Sequence, residues 1–127
     1  MLRYSRLAVM RVCVSLAMFS TLATPAFAHA HLKQSTPGAG TTVTAGPSQL
    51  RLSFTEGVAI AFTGVTVTMD DGMVIKPSAV ALAPTDPTTV IVTFGSALTP
   101  GHYKVVWHAL SDDSHKTHGH YGFTVKP

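Results

Sequence analysis

Apolar residues recur at every second position in several stretches of this sequence after residue 28. The alternation occupies five separate runs: 50–54, 65–69, 90–94, 103–107 and 121–125. Successive side chains of a β-strand point to opposite faces, so each run predicts a strand with one buried face and one polar face. No segment after residue 28 has the periodicity of an amphipathic helix. The sequence therefore predicts an all-β protein.

Clusters of glycine, proline and aspartate interrupt the sequence between several of these runs. They lie at 37–40, 46–47, 70–72, 84–87 and 100–101. Asp71-Gly72, between two apolar runs, predicts a hairpin turn. About seven short strands in one small domain predict an antiparallel β-sandwich with Greek-key connections. Tyr103 and Trp107 share one face of a late strand, so we expect them to be the largest core residues. The Tyr103 hydroxyl is also a candidate for a tyrosine-corner hydrogen bond.

The first 28 residues have the features of a secretory signal peptide. Three arginines lie among the first eleven residues, an apolar stretch spans 7–22, and Ala26-Phe27-Ala28 is a small-x-small cleavage site. We predict cleavage after Ala28, which leaves a single domain at 29–127 and places it in the periplasm of a bacterium. Ala28-His29-Ala30 is also a small-x-small triplet, and cleavage there would expose His31 instead.

Composition excludes several classes of function for residues 29–127. This part carries six cations and six acids, so the excess of basic residues belongs to the predicted signal peptide. A neutral balance removes the main support for binding to nucleic acids or to an anionic membrane. The single cysteine, Cys13, also lies in the signal peptide, so disulfides, thiolate ligands and thiol catalysis are not expected. After residue 28 no apolar run is long enough to span a membrane, and we expect no stable membrane insertion.

Histidines suggest a metal site. All seven histidines of the chain follow residue 28, and cleavage there would make His29 the first residue. Its α-amine and imidazole Nδ1 could then close a six-membered chelate ring on one metal ion. Asp113 and His115, two residues apart on an extended chain, would project to the same side and complete the site. Nitrogen and oxygen donors in a tetragonal arrangement suit Cu(II). An alternative chelate would use the amine, two backbone amides and the imidazole of His31.

The sequence resembles the CopC family of periplasmic copper-binding proteins over nearly all of residues 29–126. The stretches that carry the resemblance are 29–32, 35–37, 52–57, 98–103, 106–111, 113–115 and 119–125. It implies an immunoglobulin-like β-sandwich in which His29, Asp113 and His115 hold Cu(II), with Glu56 as a weak axial or neighbouring group. It also implies a role in copper homeostasis or resistance. An inner-membrane copper transport protein of the CopD type is implied as a partner.

The methionine content differs from that of some members of this family. They carry a methionine-rich loop with a histidine that binds Cu(I) at the other end of the domain. The matching stretch here, 68–73, holds only Met69 and Met73 and no histidine. Thioethers are the donors that select Cu(I), and two of them on a tight turn make a poor site. We therefore expect the Cu(II) site alone, with Met69 in the core.

Two other functions remain open from the sequence. Enzymes that oxidise polysaccharides also use an N-terminal histidine, so a copper-dependent oxidase or monooxygenase is the main alternative to a non-enzymatic binding protein. A carboxylate ligand disfavours an oxidase or monooxygenase, because the carboxylate stabilises Cu(II) over Cu(I) and oxygen activation needs an accessible Cu(I) state. An adhesion-type sandwich would explain the fold but not the placement of His29. The remaining histidines are expected at the surface: His102, His108, His118 and His120.

Overall fold

The structure is a computed structural model that describes residues 29–127, so the predicted signal peptide at 1–28 lies outside the described residues. Strands dominate the described part of the chain. They are β1 (Leu32–Thr36), β2 (Thr42–Val43), β3 (Gln49–Phe54), β4 (Gly64–Met69), β5 (Val74–Ile75), β6 (Ala79–Ala83), β7 (Asp86–Thr93), β8 (Gly101–Leu110) and β9 (Lys116–Val125). A single 3-10 turn at Ile60–Phe62 precedes β4.

The strands form two sheets. One has four strands in the order β1-β3-β7-β6, and the other has five in the order β2-β9-β8-β4-β5. The neighbours β3 and β7 lie in one sheet, but the chain between them passes through the other, and the same holds for β4 and β8. Such crossovers between antiparallel neighbours are typical of Greek-key sandwiches. The prediction of an all-β sandwich of the immunoglobulin type is confirmed.

Three details differ from the expected arrangement. The described residues form nine strands rather than about seven, because β2 and β5 have two residues each and are too short to show alternation. β2 pairs in parallel with β9, whereas the other strand pairs are antiparallel. The 3-10 turn was not anticipated, since three residues carry no detectable helical period.

The core lies between the two sheets and is built from the inward faces of the predicted runs. Tyr103 and Trp107 are buried, as expected. The ring of Trp107 meets that of Phe54 edge-on at 5.1 Å between centroids, and Tyr103 stacks on Phe123 at 5.2 Å. The Tyr103 hydroxyl donates a hydrogen bond of 2.5 Å to the carbonyl of Thr99, four residues earlier. This contact confirms the expected tyrosine corner.

The predicted hairpin turn at Asp71-Gly72 joins β4 to β5. Gly72 has a φ of 85°, a conformation that glycine adopts without the steric cost of a Cβ. Its N–H donates to the carbonyl of Met69 at 2.9 Å, and the N–H of Met69 donates to the carbonyl of Met73 at 2.9 Å. The turn lies at one end of the sandwich.

Gly119 provides a test of core packing. It lies opposite Trp107 in the β8–β9 pair, and a Cβ at this position would stand 2.6 Å from Cζ2 of the indole. We expect Gly119→Ala to lower the free energy of unfolding by about 1–3 kcal/mol, because the buried indole has to shift. Gly95→Ala is the control, since a Cβ there meets nothing within 4 Å. Urea denaturation of both variants checks this expectation, and equal midpoints would contradict it.

Candidate metal centre

Three segments meet at the end of the sandwich opposite the β4–β5 turn. They are the start of the described chain before β1, the segment 55–59 after β3, and the loop 111–115 between β8 and β9. Val58 forms an isolated antiparallel bridge with Ser111, and the N–H of Asp112 donates to the carbonyl of Gly57 at 3.1 Å. These contacts tie the β8–β9 loop to the segment after β3.

Residues 29–31, the first of the described residues, are attached to both sides of the sandwich. The N–H of His31 donates to Oγ1 of Thr55 at 3.0 Å, and this hydroxyl donates to the carbonyl of His29 at 3.2 Å. On the other side, Oγ1 of Thr117 on β9 donates to the carbonyl of Ala30 at 2.7 Å. The Ala30 side chain is fully buried, and Leu32 packs against the core, as expected. These hydrogen bonds hold the backbone at His29 and Ala30 at this end of the sandwich.

The β8–β9 loop folds back on itself at Asp113 and His115. The N–H of Ser111 donates to the carbonyl of His115, and the N–H of Ser114 donates to the carbonyl of Ser111, both at 2.9 Å. Ser114 has a φ of 70°, in the left-handed region. The expectation of an extended chain at 113–115 is therefore wrong. The two side chains come together through a tight turn and not through strand alternation.

Ser111 orients the carboxylate of Asp113. The serine is buried, and its hydroxyl donates a hydrogen bond to Oδ1 of Asp113. This hydrogen bond lowers the pKa of the Asp113 carboxyl below its usual value, while burial acts in the opposite direction. Hydrogen bonds and charge from His115 lower the pKa further. Asp113 is therefore a carboxylate at neutral pH, which is the form that ligates metals.

His29, Asp113 and His115 converge at this end of the sandwich. One ligand atom from each residue lies within 4.8 Å of those from the other two. The rings of His29 and His115 are 4.2 Å apart between centroids, and Nδ1 of His115 lies 3.1 Å from Oδ2 of Asp113. Nδ1 of His29 is buried without a hydrogen-bond partner among the described residues. A buried nitrogen of this kind suits a bound ion.

The two other candidate ligands, His31 and Glu56, lie near this cluster but are not part of it. The ring of His31 is exposed and lies 6.3 Å from that of His29 between centroids. Glu56 is half-buried on the segment after β3, and it is not among the clustered ligands. The four other histidines are exposed, as expected: His102, His108, His118 and His120.

Met69 and Met73 lie at the other end of the domain. Met69 is half-buried and packs against the core, as expected, whereas Met73 is 56% exposed. Both line a cavity of about 280 Å³ that they share with Phe94 and Leu98. The sulfurs are thus far along the sandwich from His29.

Three residues that support the cluster were not identified from the sequence: Thr55, Ser111 and Thr117. For two of them the sequence offered an indication, a polar residue at an inward-facing strand position. Ser111 and Thr117 continue the inward-facing positions of β8 and β9, and a polar residue in such a position needs a buried partner. Thr55 follows the last residue of β3 and had no comparable signal.

The fold and the cluster together define a class: small β-sandwich domains with a histidine and carboxylate group at one end. Residues 32–126 match the CopC domain family. Protein YobA from Escherichia coli (strain K12) is 42% identical over 114 residues, which cover 88% of this chain and 92% of that protein. The chain belongs to the CopC domain family.

Two further relatives agree with this assignment. Copper resistance protein C from Escherichia coli is 38% identical over 107 residues, covering 80% of this chain and 84% of that protein. The crystal structure of PcoC, a methionine-rich copper resistance protein from Escherichia coli, superposes with a TM-score of 0.71 at 36% identity. The superposition covers 78% of this chain and 100% of the PcoC chain. Within residues 29–127, no helix has the length and apolar character needed to cross a membrane.

Proposed function

We propose that this protein is exported to the periplasm and binds one Cu(II) ion through His29, Asp113 and His115. The observation that carries the proposal is the convergence of the three side chains within 4.8 Å, with a buried and unpartnered Nδ1 on His29. The names of its relatives support a role in copper resistance or homeostasis.

Cleavage after Ala28 would supply the remaining donor. The new α-amine of His29 and Nδ1 of the same residue would form a six-membered chelate ring, and the other two ligands would come from Asp113 and His115. Three nitrogens and one carboxylate oxygen are donors that suit tetragonal Cu(II). The hydrogen bonds of Thr55 and Thr117 hold this stretch of chain in place, which lowers the entropy lost on binding.

The backbone around His31 disfavours the alternative amide chelate. That chelate requires the amide nitrogen of His31 to lose its proton and bind the metal. In the fold this N–H donates to Thr55, and the carbonyl of His31 accepts from the N–H of Thr55 at 2.9 Å. Both backbone groups of His31 are therefore engaged by Thr55, the residue that follows β3.

The bound copper is sequestered or delivered without turnover. A carboxylate ligand stabilises Cu(II), whereas oxygen activation needs an accessible Cu(I) state. Trp107, the single tryptophan of the chain, is buried and offers no surface for stacking a polysaccharide. Delivery would be to an inner-membrane protein of the CopD type.

Copper titration of the exported protein tests the proposal. We expect one tightly bound Cu(II) per chain, with d–d absorption of a tetragonal site with nitrogen and oxygen donors. Ascorbate-driven peroxide production by the loaded protein is expected to stay near the level of the apoprotein. Absence of a tight equivalent would refute the binding site, and sustained turnover would favour the oxidase.

Binding of Cu(I) is expected to be weak. Met69 and Met73 are the two thioethers of the described residues, and half-burial of Met69 in the core leaves one sulfur free to move toward an ion. Competition against a Cu(I) chelator, with Met73→Leu as the comparison, measures this. Tight binding that Met73→Leu abolishes would contradict the expectation.

A further inference from the structure

Three exposed histidines on the outer face of the five-stranded sheet are not used by the metal centre. His108 lies on β8, directly opposite His118 on β9, and His120 follows two residues later on β9. Side chains two residues apart on a strand point to the same face. All three imidazoles therefore project from one patch of the sheet, which we call the outer histidine patch.

The spacing of the patch suits chelation of a single ion. Directly opposite residues of an antiparallel pair have Cβ atoms about 4.5–5.5 Å apart, and residues two apart on a strand are separated by about 6.8 Å. Imidazole nitrogens bind divalent metals at about 2.0–2.1 Å, so rings at these spacings can turn toward a common point. Neutral imidazole suits Zn(II), Cu(II) and Ni(II).

We propose that His108, His118 and His120 form a second, solvent-exposed site for a divalent ion of this group. The ring of His108 now lies over the backbone of Gly64, its neighbour on β4. The ring is on the exposed surface, so a rotation about χ1 can bring it toward His118. Ion binding then replaces the contact with Gly64 by a bond to the metal.

Charges on the same face set the order in which the two sites fill. Lys116 precedes His118 by two residues and projects from the same face, and Lys104 lies farther along β8. β4, β8 and β9 contain no acidic residue, so no carboxylate on these strands offsets the charge of Lys116. Lys104 lies near Asp70, which follows β4. The repulsion makes the patch weaker than the metal centre. The outer histidine patch therefore binds a second equivalent of the divalent ion after the metal centre has been filled.

Titration of the exported protein with Cu(II), and separately with Zn(II), tests the proposal. We expect a second, weaker equivalent, whose affinity falls at least about tenfold in His118→Gln. Lys116→Gln should raise the same affinity, because it removes the nearby positive charge. Zn(II) should shift the imidazole NMR signals of His108, His118 and His120 together.

His102→Gln is the matched control. His102 is exposed on the same face of β8, six residues before His108, and its Nδ1 lies 2.7 Å from Oγ1 of Thr124. Equal loss of the second equivalent in His102→Gln and His118→Gln would overturn the proposal, as would its absence in the unmodified protein. The first equivalent reports on the metal centre separately, since it should respond to His115→Ala and not to His118→Gln.

Discussion

Inserting one glycine between Ala28 and His29 is expected to lower the Cu(II) affinity of the exported protein at least a thousandfold, about 4 kcal/mol. The insertion turns the α-amine of His29 into a peptide nitrogen and moves the new amine away from Nδ1. The six-membered chelate ring is then lost, although the imidazoles and the carboxylate remain. Competition with a Cu(II) chelator of known affinity measures the difference.

The matched control is a glycine added after Pro127. It lengthens the chain equally but leaves the residues around His29 unchanged, so it should bind Cu(II) like the unmodified protein. Intact mass must show that the signal peptide has been removed at the same bond in both proteins. Equal affinities of the two extended proteins would exclude the α-amine as a ligand.

The fold was predictable because its strands have one face buried in a single core. Burial leaves a period of two in the sequence wherever a strand is long enough, as in β8, where Tyr103, Val105 and Trp107 point inward. β2 and β5 escape this rule, since two residues cannot show a period. The parallel pairing of β2 with β9 depends on the path of the chain between sheets, which local pattern does not encode.

The candidate ligands were predictable, but their arrangement was not. His29 was found from the cleavage site, and Asp113 and His115 from their spacing. The spacing argument assumed an extended chain, whereas the residues lie in a turn with a left-handed Ser114. A serine in that conformation has no strong sequence signal, because glycine and asparagine are the residues that favour it.

The inward positions of Ser111 and Thr117 indicate that each needs a buried partner, but the sequence could not show which residues those partners are. Thr55 and Thr117 are far from His29 along the chain, and their hydrogen bonds to its neighbourhood exist only once the two sheets have packed together. Ser111 acts in the same way on Asp113, through a buried hydroxyl. These polar contacts form only through tertiary packing. The alternation of apolar residues indicates which face of a strand is buried, but not which polar groups meet there.

His115→Ala and His31→Ala are expected to have opposite consequences for Cu(II) binding. Loss of the His115 imidazole removes a direct donor, so the affinity should fall at least a hundredfold, about 2.7 kcal/mol. His31→Ala should change it less than about threefold, because the alanine retains the backbone N–H that donates to Thr55 while removing an exposed ring. Chelator competition gives both affinities, and urea denaturation of the apoproteins checks that each variant is folded. In the amide chelate the imidazole of His31 is the one side-chain donor, and the order of the two effects would be reversed. A His31→Ala protein that loses Cu(II) while His115→Ala retains it would therefore refute the proposed site.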